Sequence, residues 1–346
     1  MQTVECIGVP FDPWGANSAA RWRARRSGSQ PPEQGGVLDT QLAIGVDIGA
    51  TNTRAAVVTR SGQIVARAQR LTRFSGMRLP PDDLVQLVVA CVREVETAAG
   101  VQGLPVGVGS IGQIHRETGR ILGTTADYAE YIGFPLRDRL AAALAADVWL
   151  DNDAKVAGLG EFRCGAGRPY RHLVYFGLGT GIGGAVFVDG RLVHGATGLA
   201  GHLGVVSVDW RGPVFPSRTP GPVEGYASGT GIARLGRAHG LGDEDRRLTS
   251  EEVFAAAAAG DPQAQAAISD AARALGVAIT SVLYVLNPEA VVIGGGVAQV
   301  GEPFLAQVRA AVADCAMPEF ARTPLLPAAL GAESGLVGAG VQVWEG

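Results

Sequence analysis

Leu42-Ala43-Ile44-Gly45-Val46-Asp47 is a short apolar run ending on an acid, and Arg54-Ala55-Ala56-Val57-Val58 resumes it after a Gly-containing turn, which predicts a hairpin. Ser61-Gly62 then turns the chain into a third strand, Ile64 to Ala68. Behind Asp82 and Asp83, Leu84, Leu87, Val88, Cys91, Val92 and Val95 recur at helical spacing, so a crossover helix follows. Val106 to Gly109 reads as a parallel strand, Leu136 to Ala146 as a helix, and Val148 to Leu150 as a strand that stops at Asp151-Asn152-Asp153. Three antiparallel strands followed by alternating helix and strand make a mixed sheet.

The pattern is then written a second time. His172 to Phe176 is a strand, Gly177 to Gly184 a glycine turn, Ala185 to Val188 a strand, and Asp189-Gly190 a tight turn before Arg191 to Val193. A long helical stretch from Pro262 to Leu286 leads to the buried-looking strand Ala290 to Ile293, then Gly294-Gly295-Gly296, and a terminal helix near Glu333 to Val343. Two similar mixed-sheet halves, each with a glycine turn, predict a cleft between two lobes.

Composition narrows the class. A chain of 346 residues with 47 % apolar positions and 50 glycines fits a turn-rich α/β protein of two domains. Formal net charge of −4 offers no basic surplus for nucleic acid. No apolar run approaches the roughly 18 residues of a membrane span. Cys6, Cys91, Cys164 and Cys315 lie far apart, which fits a reducing, cytoplasmic setting and incidental thiols. Residues 1–40 carry four prolines and an Arg cluster without periodicity, and read as a disordered extension or a start codon set too early. The expected division is a small lobe over 41–150, with a terminal helix at about 331–346 packing back on it, and a large lobe over 151–330.

Two glycine turns carry the candidate chemistry. Asp47-Ile48-Gly49-Ala50-Thr51-Asn52-Thr53-Arg54 combines a strand-end carboxylate, a bending glycine and hydroxyl and N–H donors, the parts that hold a phosphate and its Mg²⁺, with Asp47 reaching the ion through water. The same residues also suit a plain hairpin turn with Asx and Thr capping. Gly179-Thr180-Gly181 repeats the device in the second half, and the pair can clamp a polyphosphate. Neither turn matches a P-loop, and neither opens a helix as a dinucleotide fingerprint does.

Taken in order, these segments resemble the ROK family of sugar kinases and sugar-responsive repressors, within the actin-like ATPase (ribonuclease H-like) superfamily. The landmarks are Asp47 to Arg54, Asn152-Asp153-Ala154, Gly179-Thr180-Gly181, Gly201 to Gly204, Glu224 with Tyr226-Ala227-Ser228-Gly229, and Asn287-Pro288-Glu289 leading to Gly294 to Gly296. The resemblance implies a two-lobed α/β fold whose lobes each contain a mixed sheet with three antiparallel strands and flanking helices. It implies an ATP- and Mg²⁺-dependent kinase acting on a hexose or hexosamine, at the 6-hydroxyl, and a frequent homodimer. Phosphates would sit on Gly49, Thr51, Asn52, Thr53, Gly179, Thr180 and Gly181, and the adenosine end on Gly294, Gly295 and Gly296. Asp153 would be the general base and Asn152 a neighbouring sugar contact. Asp151 competes with Asp153 for the base, and an acid before a helix is also an ordinary N-cap. Lys155, the single lysine of the chain, is expected to point to solvent.

The chain departs from the family on its sugar side. Family members commonly carry Glu-x-Gly-His followed by a Cys-rich zinc segment ending in a sugar-binding Glu. Here the stretch reads Gly201-His202-Leu203-Gly204-Val205, and Arg211 to Gly221 holds Pro213, Pro216 and Pro220 in place of cysteines, so no structural zinc is expected. Glu224 keeps the position of the sugar-binding Glu, His202 either contacts sugar or satisfies a loop carbonyl, and Asp127 stands where the family offers Pro-Asn. Tyr131, Trp210 and Tyr226 suit a pocket or a core. The competing function is a non-catalytic sugar sensor, although residues 1–40 show no helix-turn-helix pattern. A chaperone- or acetate-kinase-like ATPase fits the Asn152-Asp153 and Glu224 segments less well.

Overall fold

Strands β1 (Leu42–Ile48), β2 (Asn52–Thr59) and β3 (Ile64–Leu71) form an antiparallel meander, to which β4 (Val106–Ser110) and β5 (Val148–Asn152) add in parallel, giving the order β3-β2-β1-β4-β5. The computed structural model describes residues 41–74, 77–123, 126–215, 217–242 and 248–345; the expectations for residues 1–40, and the Thr124, Thr125 and Pro216 positions, lie outside them. Helix α1 (Pro81–Ala99) carries Asp82 and Asp83 in its first turn and ends on Gly100 at φ 67°, a left-handed cap that glycine adopts without strain. With α2 (Leu136–Leu144) it buries Leu84, Val88, Val92 and Leu140 against the face of the sheet that presents Ile44 and Val46.

After helix α3 (Asp153–Cys164), the second sheet repeats the first. β6 (Leu173–Leu178), β7 (Ile182–Val188) and β8 (Arg191–Leu192) run antiparallel, and β9 (Ala290–Gly294) and β10 (Leu325–Pro327) add in parallel, in the order β8-β7-β6-β9-β10. The expected elements did not include β10 or a small hairpin pairing Gln113–His115 with Arg120–Gly123. Segments this short show no alternation to read. Helices α4 (Gly229–Ala238), α5 (Ser250–Ala258), α6 (Pro262–Leu286) and α7 (Glu302–Cys315) cover the outer face of this sheet. α6 is 25 residues long and contains an 18-residue window of mean hydropathy 1.4, so by length and composition it could cross a membrane. Its Ala271, Leu275, Ile279 and Leu283 are instead buried in the core shared with Phe176 and Ile293.

Between the sheets lie α3 and the terminal helix α8 (Ser334–Val341), which is shorter than the expected 333–343. Both are rich in glycine because backbone meets backbone here. A Cβ on Gly107 would overlap the Ala339 carbonyl of α8, and one on Gly338 would overlap the Val156 carbonyl of α3. The crossing is fastened by Glu161, which is fully buried on α3. Its Oε1 accepts from Leu330 N at 2.9 Å and Ser334 Oγ at 2.7 Å, and its Oε2 from Ala329 N at 2.9 Å and Ala166 N at 3.0 Å. Glu161→Leu leaves the Ala166, Ala329 and Leu330 N–H groups without their acceptor, while Ser334 Oγ keeps Gly331 O, so urea denaturation should show a loss of about 3–5 kcal/mol.

Candidate active site

Register brings the chemistry to one edge of the first sheet. Asp47 pairs with Gly109, which pairs with Asp151, and one step on Ile48, Ser110 and Asn152 align in the same way. Asp47 also stands opposite Arg54 across the β1–β2 hairpin, and Arg54 Nη2 donates to Asp47 Oδ2 at 2.5 Å. Arg54 Nη1 donates to Ala332 O at 2.8 Å, and Gly335 of α8 lies so close to the Asp47 carboxylate that a Cβ there would come within 2.9 Å of Oδ2. The carboxylate is thus held in one orientation from both sides.

At the end of β5 the three polar residues divide their tasks. Asn152 is the N-cap of α3: its Oδ1 accepts from Ala154 N at 3.1 Å and Lys155 N at 3.4 Å. The capping role allowed for either aspartate therefore falls to Asn152. Its amide nitrogen donates to Gly112 O at 3.0 Å and to Asp153 Oδ1 at 2.9 Å, so the expected sugar contact is engaged in orienting its neighbour. Asp153 Oδ1 also accepts from Ala154 N at 2.8 Å; both bonds land on this oxygen, which leaves Oδ2 to take a proton. Burial, and then the negative charge of Asp47, push the Asp153 carboxyl up to about 6, against the pull of the Ala154 and Asn152 N–H groups. Asp151 faces elsewhere: Oδ1 accepts from Asn152 N at 2.7 Å and Oδ2 lies 2.8 Å from His194 Nε2.

Lys155 corrects an expectation. It is only 1 % exposed, and its ammonium donates to Gly198 O and stands 3.9 Å from Asp151 Oδ1. Burial pulls its pKa down, Asp151 partly restores it, and Arg116 opposes. A lysine one helical turn beyond Asp151 has a buried carboxylate within reach, which overrides its usual preference for water.

The glycine turns are closed by their own backbones. Gly49 N donates to Asn52 O at 3.0 Å, and Gly179 N to Gly181 O at 2.9 Å. Thr51 is exposed at the tip of the first turn, while Asn52 Oδ1 accepts from Gln69 Nε2 at 3.1 Å. Thr53, expected at the phosphates, is fully buried with its hydroxyl 2.9 Å from Thr72 Oγ1; the strand alternation turns it into the core. In the second turn, Gly229 N donates to Gly179 O at 2.8 Å and Thr230 Oγ1 to Thr180 O at 2.9 Å, so the start of α4 holds the turn from behind. Gly183 admits Ala154 of α3, which sets this turn beside the residue following Asp153. Gly295 has φ +87° and lies on the Leu178 backbone, Gly294 is closed off by Tyr175, and Gly296 faces open space. The third glycine segment therefore adjoins the second turn.

The residues expected on the sugar side sit in different surroundings. Glu224 Oε2 accepts from Ile182 N at 2.8 Å, a brace for the second glycine turn. His202 Nδ1 lies 2.7 Å from Leu199 O; a carbonyl only accepts, so Nδ1 carries the proton. Asp127 has its backbone in the 3₁₀ turn Ala126–Tyr131, and its side chain lies outside the described set. Tyr131 is core, its hydroxyl donating to Leu79 O at 2.7 Å, whereas Trp210 is 74 % exposed under Arg211. Tyr226 is half-buried under Arg234, with Oη 3.4 Å from Asp209 Oδ2. The proline segment closes by backbone bonds, Gly221 N to Pro213 O and Val208 N to Gly221 O, both at 2.9 Å. Among the described residues no three His, Cys, Asp or Glu side chains gather as a metal cluster. Mg²⁺ keeps most of its waters and needs only one or two carboxylates, and the repulsion between Asp47 and Asp153 is what a dication relieves, so these residues fit it.

Two sheets of identical strand order, joined through paired helices and carrying carboxylates and glycine turns at their strand ends, define the actin-like ATPase fold. The model of the ROK family matches residues 43–344, and the chain belongs to that family. It is 33 % identical to a glucokinase of Thermotoga maritima over 307 residues, covering 86 % of this chain and 95 % of that protein. It is also 33 % identical to an N-acetylmannosamine kinase of Citrobacter koseri over 296 residues, 86 % of this chain and 96 % of that protein. A ROK family glucokinase from Streptomyces griseus, solved in complex with glucose and AMPPNP, superposes with a TM-score of 0.76 at 28 % identity, covering 88 % of this chain and all of that one.

A carboxyl whose pKa is higher folded than unfolded stabilises the fold while it is protonated; for Asp153 that contribution is complete below 3.8 and fades as pH rises through about 6. Ligand-free Asp153→Asn should therefore melt above the unmodified chain at neutral pH, with the gain vanishing near pH 4, as scanning calorimetry across that range will show.

Proposed function

We propose that this ROK-family chain, an ATP-dependent sugar kinase by its relatives, transfers phosphate to the primary 6-hydroxyl of a hexose or hexosamine with Asp153 as general base. The observation that carries the reading is the oriented carboxyl of Asp153, fixed through Oδ1 by Asn152 and Ala154 and tuned to about 6 beside Asp47. A base of that pKa is ionised at neutral pH, yet takes up the hydroxyl proton with little penalty as the phosphoryl group transfers. Asp151 serves less well because His194 and the Asn152 N–H occupy its two oxygens.

The glycine turns supply N–H and hydroxyl donors for phosphate around Thr51 and Thr180, both exposed at their tips. Gly296, open beside the second turn, suits the adenosine end. Asp47 would hold Mg²⁺ through water, and the ion supplies charge neutralisation on the transferring phosphate. On the sugar side, Nδ1–H of His202 bonds a carbonyl, which leaves Nε2 as the ring atom to meet a sugar hydroxyl where the family has a carboxylate. Glu224 braces the second turn and contributes to the same side of the pocket.

ADP release should be measured with Mg-ATP against glucose, N-acetylmannosamine and related hexoses. One or more sugars should give turnover, and Asp153→Asn should lower kcat by about 10³-fold while sugar still raises the melting temperature. Near-normal kcat in that variant removes Asp153 from the base role. Silence with every sugar, accompanied by sugar-induced stabilisation, leaves the non-catalytic sensor.

A further inference from the structure

His194 is held between two charged groups on the other half of the chain. Its Nε2 lies 2.8 Å from Asp151 Oδ2 at the end of β5, and Arg116, in the turn of the small hairpin, contacts its Nδ1. A guanidinium has only donors, so Nδ1 carries the lone pair and Nε2–H donates to Asp151: His194 is neutral and fixed in one tautomer. One turn into α3, the buried Lys155 reaches the same loop from below through Gly198 O, and Gly198 itself, at φ +85°, lies against the Ile114 carbonyl of the hairpin. The loop is closed by Ala200 N donating to His194 O at 3.0 Å. Leu199, next to Gly198, provides the carbonyl that orients His202.

These contacts form one chain of fixed groups. Asp151 and Lys155 flank Asn152 and Asp153 in sequence, and His194 and Gly198 begin the loop that ends at His202. Arg116, Asp151 and Lys155 are the charged groups facing this bridge among the described residues, and they leave His194 17 % exposed. We propose that His194 is a positioning residue for the sugar: by clamping the 194–202 loop to the Asp151 strand end, it sets His202 at a fixed place relative to the Asp153 base. The ATP side depends on Asp47, the glycine turns and α4, none of which His194 touches.

This inference rests on the kinase reading, and its test separates the two. Steady-state ADP release is measured for the full chain, His194→Ala and His194→Gln, varying sugar and ATP independently, with urea midpoints recorded in parallel. In His194→Ala the sugar KM should rise about tenfold or more, while the ATP KM and kcat stay within about threefold. His194→Gln should recover most of the loss, because its amide can donate to Asp151 and accept from Arg116 as the neutral imidazole does. An unchanged sugar KM in His194→Ala, both KM values moving together with the urea midpoint, or a Gln variant no better than Ala overturns the positioning role and leaves the kinase standing. An unmodified chain that releases no ADP with any sugar overturns the kinase reading and this inference with it.

Discussion

The close crossing of α3 and α8 is the constraint on which the rest of the molecule depends. Gly160 and Gly338 let the two backbones touch, and Gly45 and Gly107 let α8 lie directly on the first sheet. Beside that contact Leu159 and Phe162 of α3 share a buried apolar cluster with Val337 and Val341 of α8, and Glu161 adds a polar fastening. A buried carboxylate is costly to desolvate by several kcal/mol, and here both oxygens are met by the nearby Ala166 N–H and by two N–H groups and a hydroxyl from the distant 329–334 segment. Through α8 the same crossing fixes Gly335 against Asp47 and Ala332 against Arg54. Through α3 it fixes the direction in which Asn152 and Asp153 leave their strand.

Three acids at one sheet edge behave differently because their neighbours differ. Among the described residues, Asp47 is paired with Arg54, Asp151 with His194 and, more distantly, Lys155, and Asp153 with the neutral donors of Asn152 and Ala154. The acid without a cation is the one raised to about 6, and it is raised partly by the charge of the paired Asp47. Sequence adjacency of Asp151 and Asp153 thus conceals opposite surroundings. Two residues apart, they would share a face on a continued strand, but the helix cap at Asn152 redirects the chain between them.

Much of the fold was legible. Apolar runs and turn residues located both meanders, and Asp82 and Asp83 marked the start of α1. Arg54 lay within the first motif without an assigned role, though its register opposite Asp47 was implied by the hairpin. Strand β10 was missed because three residues carry no period, and α4, α5 and α7 were not assigned. Lys155 was misplaced because residue type predicts solvent, and the carbonyl that binds it, Gly198 O, is 43 residues away.

The sequence by itself determined the local elements, the doubled pattern and the candidate base, since these follow from periodicity, turn chemistry and motifs that neighbours along the chain carry together. Only the tertiary structure decided which acid keeps a high pKa, that Thr53 faces the core, and that Arg116, His194 and Lys155 meet at Asp151. Those outcomes depend on burial and on charges brought together from distant segments, and neither quantity exists until the sheets have closed around α3 and α8.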